Sequence, residues 1–583
     1  MNIMLNYSTE DLPERTISIR CKGAESGAKV VFSLYEQDNI ICKKEANGDE
    51  QARFTVPFPS WYKISAEISQ GDDACCLLWT NPIDIPDFRE RQCEKTLDIK
   101  SLKGNLDIFP GEDNYIEVKF YDGGIIQIFE ERSYKIPLFY RYRRHLDFIP
   151  CFDKNQIDKK CCLLPIYNEL RNFYRLKINL DNYQLLALAQ ELESLDYVEY
   201  CCLLSKNKYP PPPDNIEHQC YEPQAPFIGQ TPDFTPLQRY LDPGLGMNVR
   251  NAWSRGAFGV GATVRYMGFG VYQEHEDLIG NITVNSNRPG ARNHGSAGVG
   301  AVRGINNGFG ITGIAYGCKL IFHDTGIENL DRILVELSAG DLIIINNQFN
   351  INGFLLPMVH LASWWDRIDL CTRAGAVVVF AAGNGGLNLR QFPQFNNFGD
   401  SGGIMICSAD SHSGLIRHSS NFNLYSMLNS WGDSVVTIGW GDLQNFDPPN
   451  RTYTATFSAT SSATPLVCGA LTVVQGYAIR RLYRPLNAAE MFRIVTLTGG
   501  REGEGQGIGV RPNVTAALEL VDEMAGGGTP PPEPEYPPWR VGVQYEVGDR
   551  VSHLGLNYVC RSRHVSNIGW QPQLAVTLWT RIP

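Results

Sequence analysis

The sequence predicts a multidomain chain. A β-sandwich-like N-terminal region comes first, then a small α+β unit, an α/β domain with a mostly parallel sheet, and a small C-terminal β module. Three observations carry this. Between residues 10 and about 90, runs such as Lys29-Val-Val-Phe-Ser-Leu-Tyr35 alternate apolar and polar between Gly, Asn and Asp turns, as half-buried strands do. Between residues 230 and 524, apolar runs such as Val377-Val-Val-Phe-Ala381 alternate with helix-period stretches, the pattern of a sheet covered by helices. The run Gly526-Gly-Gly-Thr-Pro-Pro-Pro-Glu-Pro-Glu-Tyr-Pro-Pro538 is a low-complexity linker that isolates a short, aromatic-rich tail.

Residues 1–95 form the sandwich-like domain, and residues 96–160 a β-rich continuation that includes Tyr115-Ile-Glu-Val-Lys-Phe-Tyr121. In residues 161–208, Phe173-Tyr-Arg-Leu-Lys177 reads as a strand, Asn182–Glu193 as an amphipathic helix and Val198-Glu-Tyr-Cys-Cys-Leu-Leu204 as a second strand, a β-α-β unit. Residues 209–229 open with Tyr209-Pro-Pro-Pro-Pro-Asp214, a stiff spacer. The α/β domain occupies 230–524, the linker 525–538 and the tail 539–583.

A net charge of −11, with no basic stripe interleaved with aromatics, argues against a nucleic-acid partner. No apolar stretch approaches the roughly 20 residues of a membrane span. The start, Met1-Asn-Ile-Met-Leu-Asn-Tyr, lacks the basic flank and apolar core of a secretory signal peptide. The 16 cysteines are scattered and include the vicinal pairs Cys75-Cys76, Cys161-Cys162 and Cys201-Cys202, so reduced thiols are expected. Together these point to an extracellular protein or one delivered by a non-classical route, with the cytoplasm as the alternative.

The chemistry centres on Ser461, in a polar turn that runs into Leu466, Val467, Ala470, Leu471 and Val474 at helical spacing. A serine there is ordinarily a helix cap. It is also a good place for a nucleophile, because free amides at a helix N-terminus favour developing negative charge. Three further stretches shift the balance: Asn293-His-Gly-Ser-Ala-Gly298 before an apolar run, the strand ending Ala381-Ala-Gly-Asn384, and the strand Asp341-Leu-Ile-Ile-Ile-Asn-Asn-Gln-Phe-Asn350.

In this order, these residues resemble the subtilisin-like serine proteases. The serine motif reads Ala459-Thr-Ser-Ser-Ala-Thr-Pro465, the histidine motif His294-Gly-Ser296 and the oxyanion motif Ala382-Gly-Asn384. Asn429-Ser-Trp-Gly432 resembles the turn between the last two. The resemblance implies Ser461 as nucleophile, His294 as general base and then acid, and Asn384 as oxyanion donor. It implies a protein or peptide substrate, with Gln348 and Asn350 on the substrate-lining strand, and casts residues 161–208 as a propeptide-like unit; a purely structural unit is the alternative. Calcium is common in that family, but no loop here matches one of its sites, so no cofactor is assigned.

The third triad member is missing. In Thr263-Val-Arg-Tyr-Met-Gly-Phe-Gly270, aligned on Gly270 and His275-Glu-Asp-Leu278, Gly268 stands where the family has its aspartate. Leu320-Ile-Phe-His-Asp324-Thr-Gly326 mimics the lost motif but follows His294, and is read as coincidence. Losing the acid alone costs on the order of 10⁴ in turnover, so slow catalysis is expected to survive and Gly268→Asp to raise it by orders of magnitude.

The tail, with Trp539, Tyr545, Tyr558, Pro572 and Trp579 at intervals, resembles carbohydrate-binding families 5 and 12. The resemblance implies an N-acetylhexosamine-type glycan such as chitin, whose apolar sugar faces stack on flat aromatics. Trp570 is the leading stacking residue, with Trp579 and Tyr558 as further candidates, although Tyr558 and Trp539 also suit the core. Three functions compete: a glycan-targeted, weakened serine endopeptidase; a silent protease scaffold that binds protein or glycan; and a glycan hydrolase, which lacks a carboxylate pair in the main domain.

Overall fold

The computed structural model describes residues 4–11, 15–22, 29–36, 39–47, 50–55, 60–70, 73–79, 83–85, 106, 113–125, 147–162, 164–205, 230–287, 292–351, 353–446, 449–526, 536, 539, 543–553, 556–566, 570, 572, 575 and 577–582. The Pro-rich spacer and most of the Gly/Pro linker lie outside them. The chain divides into two units, residues 1–100 with 350–354, and residues 101–349 with 355–583.

The first unit holds two antiparallel sheets. One orders strands β1 (Met4–Asp11), β2 (Arg15–Lys22) and β5 (Gln51–Thr55). The other orders β4 (Asn39–Asn47), β3 (Lys29–Glu36), β6 (Ser60–Gln70) and β7 (Asp73–Trp79), with β8 (Ile83–Ile85) on β6. The predicted alternation is visible in β3, where Val30, Phe32 and Leu34 are buried.

In the second unit a four-stranded antiparallel sheet runs β10 (Asp147–Pro150), β11 (Phe173–Lys177), β9 (Asn114–Phe120), β12 (Val198–Ser205). Helix α1 (Asn182–Glu193) covers it, begun by a capping box between Asp181 and Gln184. The sequence boundary at residue 160 therefore cuts through one sheet. β9, assigned to the β-rich continuation, lies between the two strands expected to form a β-α-β unit. Alternation could not reveal this, because strand neighbours are chosen by tertiary pairing.

The α/β domain is built on a seven-stranded parallel sheet: β14 (Ile282–Val284), β15 (Lys319–Asp324), β13 (Thr263–Gly268), β16 (Leu342–Ile345), β19 (Val377–Ala381), β20 (Ile404–Ala409), β21 (Met427–Trp431). Its central strands are apolar throughout because both faces are covered. Helices α2 (Arg292–Arg303), α3 (Ile327–Glu336), α4 (Ala362–Arg373) and α5 (Ala459–Leu482) flank it. One core joins Val264, Tyr266, Leu320, Phe322, Leu342 and Ile344 on one face of the sheet to Leu466, Val467, Ala470 and Leu471 of α5. Arg265, pointing to the other face, reaches Asp341 at 2.8 Å and Glu336 of α3 at 3.2 Å. Among the described residues α5 is the helix long and apolar enough to cross a bilayer, yet 94% of its apolar window is buried in the protein, which makes it a core helix.

The tail buries Trp539, Tyr545, Val551, Tyr558, Cys560 and Trp579 around strands 550–553, 556–560 and 579–582. The described cysteines that can be assigned, Cys151, Cys161, Cys162, Cys201, Cys202, Cys318, Cys371, Cys407, Cys468 and Cys560, are free thiols.

Candidate active site

Ser461 is the third residue of α5, two past the positive-φ residue Ala459 and three past the cap Ser458. Ala459 holds φ 64°, a conformation that costs a residue with a Cβ about 1 kcal/mol; the family motif has glycine here. That turn is fastened by Ala459 N–H donating to Gly432 O at 2.8 Å and by Ser462 Oγ donating to Trp431 O at 3.0 Å. The Asn429–Gly432 turn thus sets the helix start. Ser461 is 8% exposed.

Pro465 lies inside α5 and has no N–H to give Ser461 C=O, its partner four residues back. Asn346, at the end of β16, supplies that donor: its Nδ2 reaches Ser461 O at 3.1 Å and Tyr266 Oη at 2.8 Å. The serine's carbonyl is therefore tied to the sheet.

Asn384 follows β19. Its Oδ1 accepts from Thr460 N–H at 3.0 Å and Thr460 Oγ1 at 2.7 Å, one residue before Ser461. The turn that carries it is clamped by Asn421, whose Nδ2 donates to Ala382 O and Leu355 O and whose Oδ1 accepts from Gly385 and Leu387 N–H. At Gly383, φ 89°, a Cβ would lie 2.7 Å from that clamp.

His294 is buried in the first turn of α2, its ring edge-on to Phe269 at 5.4 Å and to Phe457, just before the Ser458 cap, at 5.9 Å. A Cβ at Gly295 would strike Phe269 O at 1.7 Å, so only glycine lets α2 approach β13 this closely. The Ser461, His294 and Asn384 motifs thus meet around Phe457, Thr460 and the end of β13.

Gly268 ends β13. A Cβ there would lie 2.7 Å from Cε1 of Tyr266, whose ring fills the space beside the strand end. Gln348, expected to line the substrate path, turns its Oε1 to accept Asn384 N–H at 2.8 Å and acts as a brace for that turn. Asn350 is exposed, its Oδ1 taking Gly353 N–H at 3.1 Å, and falls in the first unit. Tyr266, Asn346, Asn421 and Thr460 were missed by motif reading. Pro465, which demands an outside donor for Ser461, was the one sequence signal for Asn346.

In the tail, Tyr558 is 4% and Trp579 1% exposed, which corrects their assignment as stacking residues: both faces of each are spent on the core. Trp570 is 42% exposed, its carbonyl held by the Trp579 indole N–H at 3.0 Å. Among the described residues, Asp410, His412 and Asp433 cluster at metal-binding spacing. They do not fit calcium, since Ser411 N–H and Oγ occupy Asp433, and the His412 and Ser413 amides with Ser413 Oγ converge on Asp410.

This arrangement, a parallel sheet covered by helices with Ser461 in the first turn of the core helix and Asn384 bonded to the residue before it, defines the α/β domain. The chain carries a subtilase-family domain matched over residues 269–498 and a carbohydrate-binding module of family 5/12 matched over residues 538–580. Among curated proteins it is similar to a thermostable alkaline protease of Halalkalibacterium halodurans, 26% identical over 239 residues, 39% of this chain and 61% of that protein's length. It is also similar to alkaline elastase YaB of a Bacillus species, 25% identical over 313 residues, 51% of this chain and 76% of that protein. Of solved structures, it is similar to fervidolysin of Fervidobacterium pennivorans, a keratinolytic enzyme related to subtilisin, at 15% identity and TM-score 0.45, covering 72% of this chain and 64% of that one. A protease of Pseudoalteromonas arctica gives 18% identity and TM-score 0.39, covering 50% of this chain and 100% of that one.

Proposed function

We propose that the protein is a subtilisin-like serine endopeptidase of low turnover, held at an N-acetylhexosamine-type glycan by its C-terminal module and working outside the cell. Ser461 Oγ attacks the scissile carbonyl while His294 takes its proton. The tetrahedral oxyanion accepts from Asn384 Nδ2, and His294 returns the proton to the leaving amine. The observation that supports this reading is the double donation from Thr460 to Asn384 Oδ1, which ties the asparagine to the residue next to the serine. Low turnover follows from glycine at position 268.

A fluorophosphonate probe tests it on the full chain. Labelling is expected at Ser461, absent in Ser461→Ala and about 10²–10³-fold slower in Asn384→Ala. An unlabelled chain favours the second reading, a silent scaffold that binds protein or glycan, which Gly268 and the Tyr266 ring over it support. Glycan targeting is checked by sedimentation with chitin: Trp570→Ala is expected to lose most binding, Tyr558→Ala to lose stability instead.

A further inference from the structure

We propose that His564 is a positioning residue for Trp570: the buried imidazole, held in one tautomer, sets the pose in which the exposed indole meets an N-acetylhexosamine ring. The glycan rests on the binding reading above; the bracing of one ring by the other does not.

Within the tail, Trp539, Tyr545, Tyr558 and Trp579 are buried, whereas Trp570 is 42% exposed. An indole that stacks on a sugar leaves a face open to solvent, so few neighbours hold it. A side chain that samples several rotamers when free gives up that freedom on binding, which weakens the complex, and a braced one does not. Two contacts among the described residues brace Trp570. The Trp579 indole N–H donates to its carbonyl at 3.0 Å and fixes the backbone. The His564 ring meets the indole in a T-shaped contact, with centroids 5.8 Å apart and planes at 78°.

His564 can act as a brace because it is itself fixed. It lies in the strand His564–Val565, opposite Tyr545 in an antiparallel pair, and the side chains alternate: His564 is 9% exposed and points inward, Val565 is 54% exposed and points out. Its ring is also T-shaped to Trp579, at 5.2 Å and 88°, so it stands between the core and the exposed indole. Nδ1 lies 2.7 Å from Ser562 C=O. A carbonyl only accepts, so Nδ1 carries a proton, and the neutral ring then keeps its lone pair on Nε2, which is buried with no hydrogen-bond partner among the described residues. Cys560 Sγ donates to the same carbonyl at 3.1 Å. One hydrogen bond and one ring contact therefore fix the imidazole plane against which the indole rests.

The test uses the full chain carrying 5-fluorotryptophan and ¹⁵N-histidine, with chitohexaose as the probe ligand. The Trp570 ¹⁹F resonance, assigned by its loss in Trp570→Phe, is expected to be single and to shift as chitohexaose is added, and ¹⁵N shifts are expected to place the His564 proton on Nδ1. His564→Leu refills the core without a ring to rest against. It is expected to split or broaden the Trp570 resonance while those of Trp539 and Trp579 stay sharp, and to weaken chitohexaose binding about 3–10-fold by calorimetry. His564→Phe restores the ring contact and is expected to recover a single resonance and an affinity within about 2-fold of the parent. A proton on Nε2 alone, a Trp570 resonance that His564→Leu leaves single, or a loss that His564→Phe does not recover overturns the proposal. Where His564→Leu collapses the Trp539 and Trp579 signals as well, the His564→Phe result decides. If chitohexaose never binds the unaltered chain yet His564→Leu alters the Trp570 resonance alone, the bracing stands and the glycan reading falls.

Discussion

Tyr266 and Gly268 are two residues of one strand and face the same way, so the tyrosine ring competes for the volume an aspartate would need. This revises the outcome expected from sequence for Gly268→Asp. The new side chain must push the ring aside, loosening Asn346 and the Ser461 carbonyl it holds. The substitution is expected to lower stability by about 1–3 kcal/mol, as overpacking does, and to bring no gain in labelling rate. Thermal unfolding and probe kinetics on the purified variant check both halves. The glycine at position 268 was legible in the sequence, because a motif with one wrong letter is a local fact. The ring beside it was not, because its consequence depends on which rotamer the packed core permits.

At the scale of the element, α5 shows how Ser461 is held in a helix that carries a proline. Asn346 donates the bond that Pro465 cannot. Asn346→Leu should therefore cost about 1–3 kcal/mol by leaving a buried carbonyl without a donor. In Pro465→Ala the helix supplies its own N–H to Ser461, and the same Asn346→Leu change should cost less. Denaturant midpoints for the four combinations measure this coupling, and equal costs in both backgrounds would separate Asn346 from the proline. The helix itself was readable from its apolar spacing. Its dependence on a residue of β16 joins segments far apart in sequence, a relation that periodicity cannot carry.

At the scale of the molecule, the sheet of β9 to β12 is bonded to α3 and α4 through buried charges. Arg367 forks onto Glu117 at 2.8 and 3.0 Å and reaches Asp331 at 2.5 Å, and Ser363 Oγ also donates to Glu117. Lys119 meets Asp366 at 2.7 Å, and Tyr200 donates to the same carboxylate at 2.7 Å. Burial pushes the Glu117 carboxyl up, but Arg367 and Arg175 outweigh it and hold the net value below the ordinary one. A depressed carboxylate contributes stability above its unfolded pKa, about 4.3, and loses it as pH falls through the folded value. Glu117→Gln should thus be less stable than the parent near pH 7 by about 3 kcal/mol, seen as a lower unfolding temperature, with the gap closing below pH 4. The same bonds predict that a chain cut at a protease site engineered into residues 209–229 co-elutes as one particle at pH 7 and separates on acidification. Size exclusion on the nicked protein decides it, and early release at pH 7 would argue for a freely dissociating propeptide.

By itself the sequence determined the class of domain and the carbohydrate-binding type of the tail. Each of these is written within a few consecutive residues, where spacing and residue chemistry suffice. Only the tertiary structure decided that β9 belongs between β11 and β12, that Gln348 braces Asn384, that Tyr558 and Trp579 are core, and that Asp324 stands level with Gly268. Those relations follow from strand order, register and the competition of side chains for buried volume, which are set by contacts between segments distant along the chain.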